Sequence, residues 1–514
     1  MKQVELFENV LKEVPPEKFD LLSREELINF AKLEQNLRIQ FGKEIQRLNA
    51  FNDELKQKTF FIEEKYIHIK NKFYGRSSEK EPRAKKTSRE KIKKKKIQLP
   101  SQRYPNADLI ERHVELATLP KCRCCKAQMQ DSGMTEDAEF LTVVPAQFFV
   151  VQQKRHKYSC VKCYGDIQTA PAPPTITPGS SYSDEMKVDV ALDKYCDLIP
   201  IERYSAIAGR AGLEDLPPQS LIESTHQLAD FVKGAYDKSK IEVANSKVIN
   251  ADETPHKMLE GDETKNWYLW GFSTPKASYF EIHDTRSGDV ASDVLLNSKC
   301  EFLVSDVFSG YARAVREANK KRQELKQALP LIVNVYCNAH SRRKFKDAKS
   351  SPEETRFFIV LYKRIYNLEK KAKEKPPDKI LEYRQRMAPL FAAMKTRALG
   401  IIASHSAKSK MGKALSYFLE NYDALTLFLN NPELPIDNNS QERQMRNPVV
   451  GRKTWYGTHS RRGAETAAIL FSLVESCKLV GVNPREYFKK LVEDLHRGKA
   501  PYIPWEFKEN SKNS

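Results

Sequence analysis

Apolar residues recur at every seventh position near the start of the chain, with charged residues between them. Five residues define this repeat: Phe41, Leu48, Leu55, Ile62 and Ile69. Residues 21–73 contain no proline and a single glycine. Sustained heptads of this kind predict a coiled coil; the alternative is a long amphipathic helix that packs against its own chain. We assign residues 1–75 to a helical, coiled-coil N-terminal region.

The apolar pattern is absent from the next segment and returns only gradually. Residues 76–102 are rich in lysine and arginine, which predicts a basic linker that is either a solvated spacer or a non-specific phosphate contact. Residues 103–173 carry paired cysteines, and the proline-rich stretch APAPPTITPGSS closes this segment. Residues 182–245 are typical of successive short helices, compatible with a helix-turn-helix DNA-binding domain and equally with other small helical domains.

From residue 246 the pattern becomes that of a mixed sheet. Three β-rich runs, KVINADET, NWYLWGFS and SYFEIHDT, precede an alternation of helical segments with the apolar runs EFLVSDV and LPLIVNVYC. This order predicts a mixed α/β domain over residues 246–485. A long, charged, helical stretch interrupts it at about residues 345–432, and residues 486–514 form a C-terminal segment. The predicted fold class is therefore multidomain α/β.

Charge points to a polyanionic partner. The 514 residues include 86 Lys and Arg against 68 Asp and Glu, giving a formal charge of +18 and a pI near 9.2. A polyphosphate backbone is the commonest partner for such a chain, and surface charge that serves only solubility is the alternative. No secretory signal and no apolar run long enough to span a membrane are evident. We therefore expect a cytoplasmic protein without membrane association.

Two Cys-x-x-Cys pairs in residues 103–173 have the spacing of a structural zinc site. Cys122 with Cys125 and Cys160 with Cys163 supply the four thiolates that tetrahedral Zn²⁺ prefers. Cys124 is a possible substitute ligand, but only Cys122 keeps the two-residue spacer. Unbridged buried thiols are the main alternative, and a redox motif is disfavoured because the pairs lack a surrounding βαβ pattern.

Three carboxylates have the placement expected of a divalent metal site. Asp252 and Asp306 stand at the ends of strand-like runs, and Glu442 stands on a helix whose start Asn438 or Asn439 can cap. Such acids, brought together, suit two Mg²⁺ or Mn²⁺ ions that act on a phosphodiester. Each acid also has an ordinary interpretation: a turn residue, a strand-end cap, or a partner of a nearby arginine on a solvated helix.

Ordered blocks of the sequence resemble the insertion-sequence sixty-six transposase family. In chain order they are FYGRSSEK, the cysteine pairs, LDKYCDLIPIERY, ADETPHKM with KNWYLWGF, SDVFSGYARAV, CNAHSRRKF, DNNSQERQMRNPVVGRKTW and TAAILFSLVESCKLVGVNPREYFKKLVEDL. The resemblance implies an RNase H-like catalytic domain, with Asp252, Asp306 and Glu442 as an Asp-Asp-Glu triad and a helical insertion before Glu442. This sequence differs from the family at Thr454 and in YGTHSRRGAE. The resemblance therefore does not extend to the contacts that these residues would make with the transposon-end DNA.

Cys337 and His340 are similar to a Cys-x-x-His element that several transposase families carry beside the active site. A buried thiol at a strand end with a helix-capping imidazole is the alternative, and half of a second zinc site is another. Basic residues near Glu442 are candidates for phosphate contacts. They are Arg443, Arg446, Arg452, Lys453, Arg461 and Arg462.

The resemblance implies a complete reaction: cleavage at transposon ends, then attack of the freed 3′-hydroxyl on target DNA. By analogy, the N-terminal half binds the terminal inverted repeats, the coiled coil pairs two copies into a homo-oligomer, and accessory proteins of the same element are candidate partners. The alternatives are a site-specific DNA-binding regulator, a nuclease of the same fold without strand transfer, and a transposase-derived protein without activity.

Overall fold

The computed structural model describes residues 23–74, 99–104, 108–111, 118, 120–129, 138–142, 147–160, 167–259 and 266–512. The chain forms two compact units. One comprises Met1–Gly75, Pro174–Ile201 and Gln219–Ser514, and the other comprises Arg76–Pro173 and Glu202–Pro218. In the part of the chain that is described, no helix is long and apolar enough to cross a membrane.

The predicted N-terminal helix is present as α1 (Arg24–Tyr74), a single helix of 51 residues. It begins with a capping box, because the Glu26 N–H donates to Ser23 Oγ at 3.4 Å and the Ser23 N–H donates to the Glu26 carboxylate at 2.9 Å. Every described side chain of α1 is exposed except half-buried Leu37. Pairing of α1 into a coiled coil stays a prediction.

The second unit contains the described part of the cysteine-bearing segment. Its elements before residue 174 are α2 (Pro100–Arg103) and an antiparallel pair, β1 (Lys157–Ser159) with β2 (Ile167–Thr169). Cys122 opens a tight turn in which the Lys126 N–H donates to the Cys122 carbonyl at 3.0 Å. Cys160 directly follows β1, whereas Cys163 lies outside the described residues. The four-cysteine zinc site therefore stays a prediction.

Three helices follow: α3 (Asp184–Tyr195), α4 (Ile201–Arg210) and α5 (Pro218–Ala244). The Ser183 hydroxyl caps α3 by accepting from the Met186 N–H. The 27-residue α5 is longer than the successive short helices that the sequence suggested, because its buried stripe continues from Leu221 to Val243 along one side. The helix-turn-helix interpretation of this region stays a prediction.

A five-stranded mixed sheet is the centre of the larger unit, with strand order β5-β4-β3-β6-β7. Strands β3, β4 and β5 form an antiparallel meander, and β6 and β7 extend the sheet in parallel with β3. The predicted mixed α/β class is confirmed. The strands are β3 (Val248–Lys257), β4 (Asn266–Ser273), β5 (Ser278–His283), β6 (Phe302–Ser305) and β7 (Val333–Tyr336).

Helices cover the sheet and add a separate apolar core. Helix α6 (Asp289–Leu296) precedes β6, α7 (Ser309–Glu324) connects β6 to β7, and α8 (Asn338–Asp347) follows β7. Five further helices follow, and Phe358, Phe391 and Phe418 belong to a core that reaches β6 and β7 through Val304 and Val335. These helices are α9 (Pro352–Ala372), α10 (Pro377–Gln385), α11 (Ala388–Ile401), α12 (Lys410–Glu420) and α13 (Tyr422–Thr426).

The chain then returns to the sheet through α14 (Asn439–Trp455) and α15 (Arg461–Val480). Helix α14 contacts β3 and β4, and α15 packs along β5. Ser472 and Ser476 of α15 accept hydrogen bonds from the β5 backbone at Phe280 and Ser278, both at 2.9 Å. Helices α16 (Pro484–His496) and α17 (Pro504–Lys512) complete the described chain.

Candidate active site

Two of the three candidate acids lie at the same edge of the sheet. Strands β3 and β6 are parallel, with Ile249 opposite Leu303 and Asn250 opposite Val304. Continuing this register by two residues places Asp252 level with Asp306, which directly follows β6. Asp252 lies within β3, which continues to Lys257, so both its expected position at the end of a strand and its interpretation as a turn residue are wrong.

The third acid approaches the same edge from a helix. Glu442 occupies the first turn of α14, which crosses β3 and β4. Gly271 is the β4 residue opposite Asp252. A Cβ at Gly271 would lie 2.3 Å from Gln441 Nε2 and 2.7 Å from Met445 Sδ. Glycine at this position therefore permits the close approach that brings the start of α14 to the candidate site.

Asn438 anchors α14 to the sheet and does not cap it through its side chain. It occupies the N-cap position, but its side-chain Nδ2 donates to the Ala251 carbonyl at 2.8 Å. The N–H of Asn439 donates instead to Asp437 Oδ1 at 3.1 Å. The sequence located the helix start correctly and the capping bond incorrectly, because Asn438 is buried against β3, where a backbone carbonyl is available. The hydrogen bond from Asn438 to Ala251 holds the start of α14, which carries Glu442, next to Asp252.

The electrostatics show that these acids are close together. Burial, together with the charges of Glu253, Asp306 and Glu442, raises the pKa of Asp252 to about 8. Backbone donors orient two of the carboxylates: the Glu253 N–H donates to Asp252 Oδ1 at 3.0 Å, and the Phe308 N–H donates to Asp306 Oδ1 at 3.1 Å. The site thus concentrates negative charge in a partly buried setting.

A fourth carboxylate, Glu253, was not recognised as part of the site from the sequence. Its side chain is only 3% exposed, and it accepts hydrogen bonds from Tyr311 Oη at 2.7 Å and from Arg286 Nε at 3.0 Å. The Arg286 guanidinium is half-exposed and lies 4.1 Å from the centre of the Phe308 ring. Burial raises the pKa of Glu253. Its partners are distant in sequence, so no local pattern could have revealed them.

Cys337 and His340 lie on the other side of Glu442. Cys337 follows β7 and His340 is in the first turn of α8. Cys337 Sγ accepts the Asn438 N–H at 3.2 Å, and His340 Nδ1 is 3.7 Å from Glu442 Oε1. Burial raises the pKa of the Cys337 thiol to about 12. The Cys-x-x-His element is therefore beside the candidate site, and its imidazole faces a carboxylate.

The basic residues of α14 differ in their surroundings. Arg443, Arg446 and Lys453 are exposed. Arg452 is half-buried, and its guanidinium donates to Thr254 Oγ1 of β3 at 3.4 Å. Desolvation lowers the pKa of Arg452. Arg443, Arg446 and Lys453 are thus placed for contact with a large ligand, whereas Arg452 also fastens α14 to the sheet.

The two arginines at the start of α15 also have different roles. The Arg461 guanidinium lies 5.4 Å from the Trp267 ring centre. Arg462 forms ion pairs with Glu223 at 2.9 Å and Asp230 at 3.3 Å, both on α5. Arg462 therefore joins α15 to α5, and its charge is already engaged by two acids.

Comparison with known proteins identifies the family. The model of the Transposase IS66 family matches residues 179–466, which is more than half of the chain. The chain is also similar to "Uncharacterized protein y4jD" of Sinorhizobium fredii (strain NBRC 101917 / NGR234), with 26% identity over 408 residues that cover 75% of this chain and 78% of that protein. "Uncharacterized protein y4hP" of the same organism is 25% identical over 439 residues, which cover 80% of this chain and 77% of that protein.

The family match spans the residues that form the sheet, the three candidate acids and the Cys-x-x-His element. The names of the two relatives assign no activity, so the match to the family model carries the identification. The resemblance found in the ordered sequence blocks is confirmed, and the chain belongs to the Transposase IS66 family.

Proposed function

We propose that this chain cuts DNA at the ends of an insertion sequence and joins those ends to a target by metal-dependent phosphoryl transfer. Asp252, Asp306 and Glu442 form the catalytic triad of an RNase H-like domain. The observation that carries the proposal is the convergence of these three acids from β3, the end of β6 and α14. Membership of a transposase family supports DNA as the substrate.

The residues present fit divalent cations. The donors are carboxylate oxygens, which suit Mg²⁺ or Mn²⁺ better than zinc. Crowding of like charges is costly without a counter-charge, and this cost is visible in the pKa of Asp252, raised to about 8 by burial and by its acidic neighbours. Two ions held by Asp252, Asp306 and Glu442 would stabilise the attacking and leaving oxygens of an in-line displacement.

The chain's own groups orient the reactants around these acids. The N–H groups of Glu253 and Phe308 each fix one carboxylate oxygen, of Asp252 and Asp306 respectively, which restricts rotation of both carboxyl groups. Glu253 and the Phe308 ring hold the half-exposed Arg286 guanidinium at the rim, where it is available to a DNA phosphate. The same site serves both steps, because each step displaces an oxygen at phosphorus.

The N-terminal half supplies DNA-end recognition and pairing in this proposal. Helices α3 to α5 and the cysteine-bearing segment bind the terminal inverted repeats, with structural Zn²⁺ held by Cys122, Cys125, Cys160 and Cys163. The turn around Cys122 supports this, because N–H groups of Cys125 and then Cys124 bond to the Cys122 sulfur and lower its pKa. Exposed Arg443, Arg446 and Lys453, together with Arg452, contact phosphates near the triad.

The test is cleavage of DNA that carries the inverted repeats flanking the reading frame, with Mg²⁺ present. We expect Asp252→Asn, Asp306→Asn and Glu442→Gln each to reduce cleavage by more than about a hundredfold, since loss of second-shell partners alone costs about 10–100-fold at metal sites. Binding of the DNA, measured by mobility shift, should change little. Asp423→Asn, an exposed acid on α13, is the matched control. Full activity in any triad variant would remove that residue from the mechanism.

A further inference from the structure

Three side chains that could bind a metal meet at the junction of β7, α8 and α14. One ligand atom each from Cys337, His340 and Glu442 lies within 4.8 Å of the others. Cys337 and His340 are three residues apart across the start of α8, so the first helical turn brings both to the same side. The bond from the Asn438 N–H to Cys337 Sγ ties this turn to the start of α14.

Two of these ligand atoms are buried polar atoms that make no hydrogen bond to the described residues. They are His340 Nδ1 and Glu442 Oε1, which lie 3.7 Å apart. A buried polar atom without a partner is costly, so such a pair indicates a group that binds between them. The third residue of the cluster, Cys337, is fully buried beside these two atoms.

The donor set is that of a thiophilic ion and not of Mg²⁺. Sulfur, imidazole nitrogen and carboxylate oxygen suit Zn²⁺ or Co²⁺, with a fourth position left for water. A tetrahedral ion with bonds of about 2.0–2.3 Å separates its ligand atoms by roughly 3.3–3.6 Å, which is close to the present distance between His340 and Glu442. A thiolate and a carboxylate together balance a divalent charge. The Asn438 N–H is then a second-shell donor to the thiolate.

We propose that Cys337, His340 and Glu442 bind a thiophilic divalent ion, and that this ion inhibits the enzyme by withdrawing Glu442 from the catalytic ions. Binding displaces the Cys337 Sγ proton to solvent and forms one metal–sulfur bond. The inhibition rests on the function proposed above, whereas the metal binding does not. Glu442 belongs to two ligand sets that differ in chemistry: an oxygen set with Asp252 and Asp306, and a mixed set with Cys337 and His340.

Cobalt binding tests the site without reference to activity. The full-length protein is purified with its endogenous metal retained and then titrated with Co²⁺, and sulfur-to-cobalt charge transfer is followed by absorption. We expect one added equivalent to produce the band in the wild-type protein and in Cys300→Ser, which removes another fully buried thiol. Cys337→Ser should lose this band. His340→Gln keeps the thiol and should weaken Co²⁺ binding by about tenfold or more, which guards against misfolding of the cysteine variant.

Inhibition by Zn²⁺ tests the competition. We expect the Zn²⁺ concentration that halves Mg²⁺-dependent DNA cleavage to rise by at least about tenfold in Cys337→Ser and to stay unchanged in Cys300→Ser. Raising Mg²⁺ should relieve the inhibition of the wild-type protein. A cobalt–sulfur band that persists in Cys337→Ser would overturn the site, and equal Zn²⁺ sensitivity of both proteins would overturn the competition. If no metal ion supports cleavage, the proposed function fails, and the cobalt titration still decides the metal site.

Discussion

The carboxylate site and helix α1 are built in opposite ways. The site lies on strands whose inner residues, Ala251 and Val304, are fully buried, and Asn438 bonds its helix to β3. Along α1 four heptad residues, Phe41, Leu48, Leu55 and Ile62, are exposed, with Leu48 at 57% and Ile62 at 65%. The geometry of the site is therefore fixed within one chain, whereas the apolar stripe of α1 gains stability only when another surface covers it.

The largest effect should come from breaking the stripe of α1. Leu48→Glu combined with Leu55→Glu places two charges in the predicted seam, and each such loss of a packed leucine costs about 2–5 kcal/mol. If α1 pairs with a second copy, self-association should weaken by more than about a hundredfold, as should the pairing of two DNA ends. Sedimentation over a concentration series measures the first effect, and a two-end complex assay measures the second.

The matched control adds the same charge elsewhere on the helix. Gln46→Glu with Asn49→Glu changes exposed positions outside the heptad stripe and should leave the association intact. Deletion of residues 1–75 should likewise remove association but preserve metal-dependent cleavage at a single end. An unchanged monomeric mass for the wild-type protein well above micromolar concentration would show that α1 packs within its own chain, so that the dimer interpretation is wrong.

A substitution at the contact between α14 and the sheet tests whether this packing positions Glu442. Gly271→Ala forces a methyl group against Gln441 and Met445, and overpacking of this kind costs about 1–3 kcal/mol. The displacement moves Glu442, and an error of about 1 Å in a catalytic group can cost about a hundredfold in rate. We therefore expect both the free energy of unfolding and the cleavage rate to fall, as measured by urea titration and by the end-cleavage assay.

Gly400 in α11 provides the control, because a Cβ there would meet no atom within 4 Å. Gly400→Ala should leave cleavage unchanged and stabilise the helix by about 0.5–1 kcal/mol. Wild-type cleavage by Gly271→Ala would mean that the close approach of α14 does not position Glu442.

The sequence predicted those features whose cause is local. The strand-like runs, the long N-terminal helix and the position of Asp306 directly after a strand followed from periodicity, whereas the strand that carries Asp252 is longer than its apolar run suggested. The environment of Glu253 did not follow, because Tyr311 and Arg286 reach it only after the chain has folded across the sheet. Such contacts depend on tertiary packing, which no window of neighbouring residues encodes.

The same limit applies to the start of α14 and to the arginines. A capping asparagine was a reasonable expectation, but burial of Asn438 against Ala251 gave its side chain a different acceptor. Arg462 was a candidate phosphate contact until the fold brought Glu223 and Asp230 beside it. In both cases the residue type correctly indicated a polar contact, but the sequence did not indicate the partner, because the partner lies on another element.

The attachment of β3 to the segment after α14 should depend on pH. His256 is buried, and its Nε2 lies 3.1 Å from Thr458 Oγ1. The chain closes over this pair, because Met258 forms a β-bridge with Thr458. Burial, together with the charge of Arg452, lowers the pKa of His256 to about 4. The neutral imidazole therefore contributes to stability near the site, in contrast to solvent-exposed α1.

The sign of the pH dependence follows from this lowered pKa. The unfolded chain takes up a proton below about pH 6.5, whereas folded His256 stays neutral down to about pH 4. Stability is therefore fully present above pH 6.5 and is lost as the pH falls through this window, by about 2 kcal/mol between pH 6.5 and 5. His256→Gln should remove that slope in urea titrations, and His459→Gln, an exposed neighbour, should retain it. Equal slopes in both variants would mean that His256 is protonated within the folded protein, and the β3 attachment would then not depend on a neutral imidazole.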